Sequence, residues 1–367
     1  MKKASSIILS ACLLLPLAVP AYAAEVAPAA AAQQQGLTYQ GAIDKALNKS
    51  LELKNIQADI DRSFEVKNNL GRSLSFVPTG PGNQGANSAY MGVEKAEIGY
   101  QMTQKQLEIK KDQIAYSTRK AYNAILQAQS KKQLALLTEK NSELQNNISF
   151  YKYQYGMASL VDSDRAQKNY AADKKNSQVA ETNVSSSYQT FNQLVGLETK
   201  AVPQLAEKPD FKKLNESDLD NHIGRVIDTN PQVWLANKNI DLAQVDVKLL
   251  NYNSGQGESY DTKKLDLEKN QNTYANAKEQ IDSAVRTLYY NILQIEDQYS
   301  VLEQKLEIAQ DAYNTLKVQF DVGLATKADL SSARLSVEQL KQQLFELALN
   351  HDNLVEAYQK PWVLSAS

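Results

Sequence analysis

Apolar residues recur at alternating spacings of four and three through much of the second half of the chain. The first run is Ile281, Val285, Leu288, Ile292, Ile295, Tyr299, Leu302, Leu306, Ala309, Tyr313, Leu316 and Phe320. A second run follows a short interruption and contains Leu330, Ala333, Val337, Leu340, Leu344, Leu347, His351, Leu354 and Tyr358. This heptad spacing predicts two helices with left-handed coiled-coil packing. Because only a few residues join the two runs, we expect an antiparallel hairpin.

Interruptions of the pattern delimit the remaining elements. Six helices are predicted. They cover residues 37–70, residues 91–153, a segment that ends at Gly196, a segment that ends near residue 250, residues 261–321, and a last segment that ends before Pro361. Asn230-Pro231 should break or kink the fourth of these, because proline cannot donate the helical hydrogen bond. Residues 71–89 and 251–259 have loop composition. A helix of 60 residues extends about 90 Å, which predicts that the elongated shape itself is the function.

The first half of the chain repeats the second. Residues 119–127 share their Arg, Tyr, Ile, Leu and Gln positions with residues 286–294. At the same offset, Tyr153, Gly156, Met157, Ala158, Ser159 and Asp162 match Phe320, Gly323, Leu324, Ala325, Thr326 and Asp329. The chain is therefore predicted to be all-α, with two tandem repeats of a long antiparallel coiled-coil hairpin. The first repeat is assigned to residues 37–200, a connector to 201–216, the second repeat to 217–360 and a tail to 361–367.

The amino-terminal residues read as a secretory signal. Two lysines precede an apolar run, and Ala21-Tyr22-Ala23 predicts cleavage after Ala23, so residues 1–23 are assigned as a signal peptide and 24–36 as a flexible leader. Leu9-Ser10-Ala11-Cys12 resembles a lipobox, which leaves acylation at Cys12 as an alternative. Cys12 is the only cysteine, so disulfide chemistry is not expected in the processed chain.

Composition gives no sign of catalysis, metal binding or nucleic-acid binding. The net charge is -2, which provides no basic field, and the two histidines form no metal-ligand spacing. His351 occupies a heptad position and is interpreted as a hydrogen-bonded core histidine rather than a ligand. No phosphate-binding loop or nucleophile motif is present, so we expect no enzyme activity and no cofactor.

A turn motif occurs twice between long helices. It begins with an aromatic residue and continues with Gly, then either Leu or Met, then Ala, and then either Ser or Thr. This duplicated motif, with Asn230-Pro231-Gln232-Val233 and the opening Leu37-Thr38-Tyr39, resembles the TolC family of outer-membrane efflux and secretion ducts. The resemblance implies a homotrimer whose hairpins form a helical barrel, working with an adaptor protein and an inner-membrane pump. It also implies that the turns dock the adaptor through Tyr153, Gly156, Met157, Ala158, Ser159, Phe320, Gly323, Leu324, Ala325 and Thr326.

Two features of the turns have simpler explanations. Gly156 and Gly323 could act only as hairpin turns with no partner. The resemblance places Asp162 and Asp329 at an aperture, where a carboxylate ring would favour cations. Alternatively, each aspartate only complements the dipole at the start of a helix.

One feature departs from the family pattern. Its members cross the outer membrane by a β-barrel to which each repeat contributes two strands, and each strand needs about 9–11 residues. Residues 71–89 and 251–260 are too short or too rich in Gly and Pro for such strands. We therefore predict that the barrel strands are absent or vestigial. A location in the extracellular or cell-wall zone, in a cell without an outer membrane, is then an alternative to the outer membrane.

Two functions follow from these observations. The first is a TolC-like duct subunit that passes substrates across the cell envelope. The second is a structural or surface-interaction coiled coil that does not transport. An adaptor is a weaker third hypothesis, because adaptors contain strand-rich segments and this chain shows none.

Overall fold

The computed structural model describes residues 36–74, 84–248 and 259–365, and these ranges form eight α-helices with no β-strand. They are α1 (Tyr39–Lys49), α2 (Leu51–Ser73), α3 (Gln84–Gln154), α4 (Leu160–Val195), α5 (Leu219–Thr229), α6 (Pro231–Lys248), α7 (Tyr260–Asp321) and α8 (Lys327–Gln359), followed by a 3-10 helix at Pro361–Ser365. The predicted all-α fold of two long hairpins is confirmed. The signal-peptide and Cys12 predictions lie outside the described residues, as do the segments 75–83 and 249–258, on which the prediction of missing strands depends.

The helix predicted over residues 37–70 is in fact two helices that meet at Ser50. The Ser50 hydroxyl accepts a hydrogen bond from the Leu53 amide at 3.2 Å and caps α2. The expected break at Asn230-Pro231 is confirmed, and there the Asn230 side chain accepts from the Gln232 amide at 2.8 Å and the Val233 amide at 3.1 Å. The chain therefore changes from α1 to α2, and from α5 to α6, at a residue whose side chain caps the second helix of the pair.

The helices that flank the first predicted loop are longer than expected. α2 continues to Ser73 and α3 begins at Gln84, so both ends of the predicted loop 71–89 are helical. Glycine in a helix interior costs about 1 kcal/mol, which is too little to outweigh the contacts along a long hairpin. Gly71, Gly85 and Gly92 therefore lie within helices.

Two buried cores form where the short helices of each repeat meet its long ones, and α8 of the second repeat contributes Leu349 to the first core. The first core contains Ala42, Ala46, Leu53, Ile114, Tyr122, Ile125, Leu126, Tyr188, Phe191, Val195 and Leu349. The second contains Ile223, Val226, Val233, Ile281, Val285, Leu288, Ile292, Ala357, Tyr358, Trp362 and Val363. The two cores use corresponding positions of the repeats, which fixes the short helices against the long hairpins at the same level in both.

The heptad pattern describes burial well only near the cores. Ile281, Val285, Leu288 and Ile292 are buried in α7, and Val337, Leu344, His351 and Tyr358 in α8. Further out, Tyr313 and Leu316 are only partly buried, and Phe320 is 38% exposed. Two helices alone cannot enclose a heptad face, so the outer hairpin keeps apolar surface available to further helices.

The connector is held along its length by buried polar groups. Leu37 and Leu205 form an isolated parallel bridge, and the Tyr122 hydroxyl donates to the Leu37 carbonyl at 2.8 Å while accepting from the Glu207 amide at 3.0 Å. The Asn192 side-chain amide donates to the Ala201 carbonyl at 2.7 Å. The connector therefore lies against the first core before it reaches the second repeat.

A buried glutamate fastens the far end of the connector. Glu296 is 6% exposed, accepts from the Leu214 amide at 2.6 Å and lies 3.0 Å from Nε2 of His351. Phe211 stacks on Tyr299 with 3.6 Å between ring centroids and also contacts His351. The interpretation of His351 as a hydrogen-bonded core residue is confirmed. Burial of Glu296 was not predicted.

The repeats meet along α3 and α8 through a polar network. Arg119 binds Asp352 with both its Nε, at 2.9 Å, and its Nη2, at 2.7 Å. The Asn123 amide donates to Asp352 and to Asn353, each at 2.9 Å. Gln127 and Lys131 bind Glu346 at 3.0 and 2.8 Å. Bidentate arginine–carboxylate geometry of this kind fixes the register of the two helices.

This network predicts unequal roles for two arginines at the same position of the repeats. Arg119→Ala should lower the free energy of unfolding by about 1–3 kcal/mol, because the half-buried Asp352 loses its bidentate partner. Arg286→Ala should cost less than about 1 kcal/mol, since Arg286 pairs with the exposed Asp220 on the surface. Urea denaturation of both variants at equal protein concentration measures the difference. Equal losses would show that the α3–α8 network contributes nothing beyond a surface ion pair.

Candidate functional site

The candidate site consists of the two hairpin tips, residues 153–162 and 320–329. Gly156 and Gly323, predicted as hairpin turns, adopt positive φ angles of 72° and 80°. In the first tip the Gly156 amide donates to the Tyr153 carbonyl at 2.9 Å and the Met157 amide to the Lys152 carbonyl at 2.7 Å. The second tip repeats both bonds from Gly323 and Leu324, at 3.0 and 2.7 Å. This pairing is the Schellman motif, which ends a helix and lets the chain reverse.

Each tip begins its returning helix with the same cap. The Ser159 hydroxyl accepts from the Asp162 amide at 3.1 Å and donates to the Asp162 carboxylate at 2.7 Å. Thr326 does the same with Asp329 at 3.2 and 2.7 Å, and its own amide also donates to that carboxylate at 3.0 Å. The second tip thus has a complete capping box and the first has the same cap without the amide bond, so that each tip is a short, well-defined bend.

The capping bonds also set the charge of the tips. Hydrogen bonds from Ser159 hold the pKa of Asp162 below its usual range, and those from Thr326 do the same for Asp329. The positive charge of Lys152, in the last turn of α3, lowers the pKa of Asp329 further. The two tips are therefore close enough to interact, and both aspartates are charged at neutral pH.

The tips expose large apolar side chains around small ones. Tyr155 is 76% exposed, Met157 69% and Leu324 81%, whereas Ala158 and Ala325 are partly covered. A Cβ built on Gly156 or Gly323 would meet no heavy atom within 4 Å. A side chain at either position would therefore not collide with the rest of the chain. Each glycine instead provides the positive φ of the turn and leaves the backbone there accessible.

All the residues predicted for docking lie on these two bends, and further apolar side chains are exposed beside them. Leu160, Val161, Val318 and Val322 are each more than 60% exposed at the same end. The sequence could have identified these four residues as exposed, because they are apolar but do not occupy heptad positions. An apolar residue outside the heptad face of a long helix has no partner within its hairpin.

The described residues offer little for other chemistry. Within residues 36–74, 84–248 and 259–365, no group of three His, Cys, Asp or Glu side chains could hold a metal ion. Among the described helices, none combines the length and apolar character needed to cross a membrane. The paired tips are the feature that remains to be explained.

Comparison with known proteins shows which proteins share sequence and fold with this chain. Residues 236–357 match the family model described as Outer membrane efflux protein. The CmeC outer membrane channel of Campylobacter jejuni superposes with a TM-score of 0.67 at 12% identity, covering 88% of this chain and 85% of that one. For the outer membrane protein VceC of Vibrio cholerae the TM-score is 0.63 at 13% identity, with 88% and 96% covered. No curated protein matches in sequence.

The MtrE outer membrane channel of Neisseria gonorrhoeae gives the same result, with a TM-score of 0.62 at 14% identity and 88% of each chain covered. The fold is that of an outer-membrane efflux channel subunit. The resemblance of this chain to the TolC family is thereby confirmed. The matched structures from Campylobacter jejuni and Neisseria gonorrhoeae are described as outer membrane channels.

Proposed function

We propose that this chain is the duct subunit of an efflux or type I secretion system in the cell envelope. Three copies form a hollow helical barrel, and the hairpin tips bind an adaptor protein that links the duct to an inner-membrane pump. Substrates pass through the lumen, and the chain itself catalyses no reaction. The family match and the channel folds support a location at the outer membrane.

The observation that carries this proposal is the duplicated tip. Two bends with the same glycine, the same small residue and the same hydroxyl cap on an aspartate expose apolar side chains. A bend that served only to reverse the chain would not need several large apolar residues in solvent, where each lacks favourable burial. An adaptor with a hairpin of its own would cover them, and the small residues would let its backbone approach closely.

Asp162 and Asp329 have a second role in this proposal. Their carboxylates are charged and exposed at the end of the duct. With three copies they would form rings that favour cations and disfavour anions at the aperture. Their capping bonds are compatible with this role, since a carboxylate that accepts from an N-cap residue keeps its negative charge.

Substitution of both tip glycines tests the docking. Asparagine tolerates the left-handed conformation, so Gly156→Asn with Gly323→Asn should keep the bends and place a side chain where the adaptor approaches. We expect affinity for the purified adaptor of the same cell to fall at least tenfold, measured by surface plasmon resonance, with unchanged helicity by circular dichroism. Replacement of both glycines by valine adds backbone strain and should abolish the association.

Gly224 supplies the matched control, because it lies in the short helix α5, is exposed, and has no neighbour within 4 Å of an added Cβ. Gly224→Asn should leave adaptor binding unchanged. If the double asparagine variant binds as tightly as the unmodified protein, the docking assignment is wrong. The alternative function, that of a structural coiled coil that does not transport, would then be favoured.

A further inference from the structure

A cavity lies between α3 and α8 beside the polar network that joins the two repeats. Its volume is about 310 Å³, and residues between positions 126 and 137 of α3 and between positions 338 and 345 of α8 line it. Lys208 of the connector lines it as well. The ion pair of Lys131 with Glu346, at 2.8 Å, lies at the same level of the two helices. Three segments that are distant in sequence therefore form one site inside a single chain.

One part of the cavity lining is apolar. Leu126 is 4% exposed, and Leu134, Leu137 and Phe345 are partly buried. Leu134 and Leu137 lie one helical turn apart on α3, so together with Phe345 of α8 they can cover a short hydrocarbon from two sides. Removing such a hydrocarbon from water is favourable and needs no specific geometry. The cavity is therefore suited to a ligand with an apolar part.

The rest of the lining carries hydrogen-bond donors. Ser130, Gln133 and Gln342 have hydroxyl or amide groups that can donate to a ligand, and Gln129 donates to the Tyr188 hydroxyl at 2.7 Å. A small number of polar groups beside apolar ones is the usual composition of a small-molecule site. We therefore expect the ligand to have one polar end that accepts hydrogen bonds.

The charged side chains of the lining determine the sign of that polar end. Lys341 binds Glu338 at 2.9 Å, so these two charges balance each other. Lys208 is exposed, and in the described part of the chain it forms no ion pair. Two cations and one anion leave a single positive charge at the cavity. A ligand with one negative charge complements it, whereas a dianion would carry a second charge that has no partner there.

We propose that this cavity binds a single-chain monocarboxylate, with the carboxylate beside Lys208 and the hydrocarbon against Leu134, Leu137 and Phe345. The volume corresponds to about ten non-hydrogen atoms, if each takes about the 30 Å³ of a water molecule in the liquid. Octanoate has roughly that size. The site does not depend on the proposed function, because every residue that lines it belongs to one chain.

Binding at this position should also hold the two repeats together. The ligand would contact α3 of the first repeat, α8 of the second and the connector between them. A molecule that binds the folded chain and not the unfolded one stabilises the folded chain by mass action. Octanoate should therefore raise the midpoint of thermal unfolding, and the rise should grow with its concentration.

Isothermal titration calorimetry of the purified full chain tests the site with octanoate, 1-octanol and octanedioate. Octanoate should bind at one site per chain, and octanedioate at least about tenfold more weakly, because its second carboxylate would enter the apolar part. Lys208→Gln should weaken octanoate binding about three- to fivefold, since it removes one exposed charge, and should leave 1-octanol binding unchanged. Lys213→Gln is the matched control, because Lys213 is an exposed lysine of the same connector that does not line the cavity.

Leu134→Trp fills the apolar part and should weaken the binding of octanoate and 1-octanol alike, by about tenfold or more, with unchanged helicity by circular dichroism. This pattern supports the site. If octanoate does not bind, or binds as tightly to the folded Leu134→Trp variant, the cavity is not a ligand site. Equal effects of Lys208→Gln and Lys213→Gln, or octanedioate binding as tight as that of octanoate, contradict recognition of a single negative charge. In each of these cases the proposed duct stands, because no step of it uses this cavity.

Discussion

Replacing Tyr122 with alanine should lower the free energy of unfolding by about 3–5 kcal/mol, in the range seen when a buried aromatic is truncated. Tyr122 is fully buried, and its ring lies 4.3 Å from that of Tyr39 and 6.0 Å from that of Phe191, measured between centroids. Its hydroxyl also joins the chain near Leu37 to the connector at Glu207. The substitution therefore opens a cavity in the first core and releases two other segments from it.

Two further variants separate these effects. Tyr122→Phe keeps the ring but leaves the Leu37 carbonyl and the Glu207 amide without the hydroxyl, which should cost about 1–3 kcal/mol. Tyr289 occupies the same position in the second repeat and is only partly buried, so Tyr289→Ala should cost less than half as much as Tyr122→Ala. Denaturant unfolding followed by circular dichroism, at a fixed protein concentration, measures all three. If the two alanine variants lose the same free energy of unfolding, Tyr122 does not contribute more to stability than Tyr289, and the prediction is wrong.

Replacing Glu296 with alanine should cost about 2–4 kcal/mol, because it leaves the Leu214 amide and the buried His351 without their partner. The Leu214 amide loses its hydrogen bond, and His351 loses the carboxyl oxygen that lies 3.0 Å from its Nε2. Phe211, which stacks beside them, should then be held less firmly. The connector should consequently become more open between residues 208 and 218, which amide hydrogen exchange of that segment can detect.

Glu303 is the matched control for this substitution. It lies two turns further along α7 and is exposed, so Glu303→Ala should change the free energy of unfolding by less than about 0.5 kcal/mol. The same denaturation experiment compares the two. A Glu296→Ala protein as stable as Glu303→Ala, with unchanged exchange in the connector, would mean that the buried carboxylate does not fasten this segment.

The long helices and both tips could be predicted from local sequence because local rules determine them. Heptad spacing from Ile281 to Phe320 defines one helix, and the glycines at 156 and 323 provide the positive φ that ends a helix. The same reasoning placed the break at Asn230-Pro231. It missed the break at Ser50, because serine is a capping residue in some contexts and an ordinary helical residue in others.

Contacts between distant segments could not be predicted in this way. Arg119 and Asp352 are separated by 233 positions, and no periodicity links them. Glu296 looks like a surface residue of α7 until the connector and His351 cover it. For the same reason, the heptad pattern overestimated burial near Tyr313 and Phe320, which are partly or largely exposed in the described part of the chain.

Some residues of the candidate site could be predicted from local sequence and others could not. Gly156, Gly323 and their capping residues were identified because the turn motif is duplicated. Tyr155, Leu160 and Val161 were not, although they are among the most exposed apolar residues of the tip. Their exposure depends on how far the bend projects beyond the cores, which is a property of the assembled hairpins rather than of the motif.

Imaging of the purified full chain tests the central claim most directly, because a duct requires a lumen. Negative-stain or cryo-electron microscopy should show a closed ring of three copies, elongated along the hairpins, with the tips at one end and a hollow axis. The same preparation should give the mass of a trimer by native mass spectrometry. A stable monomer, or copies joined in an open chain without a lumen, would contradict the assignment of this protein as a duct.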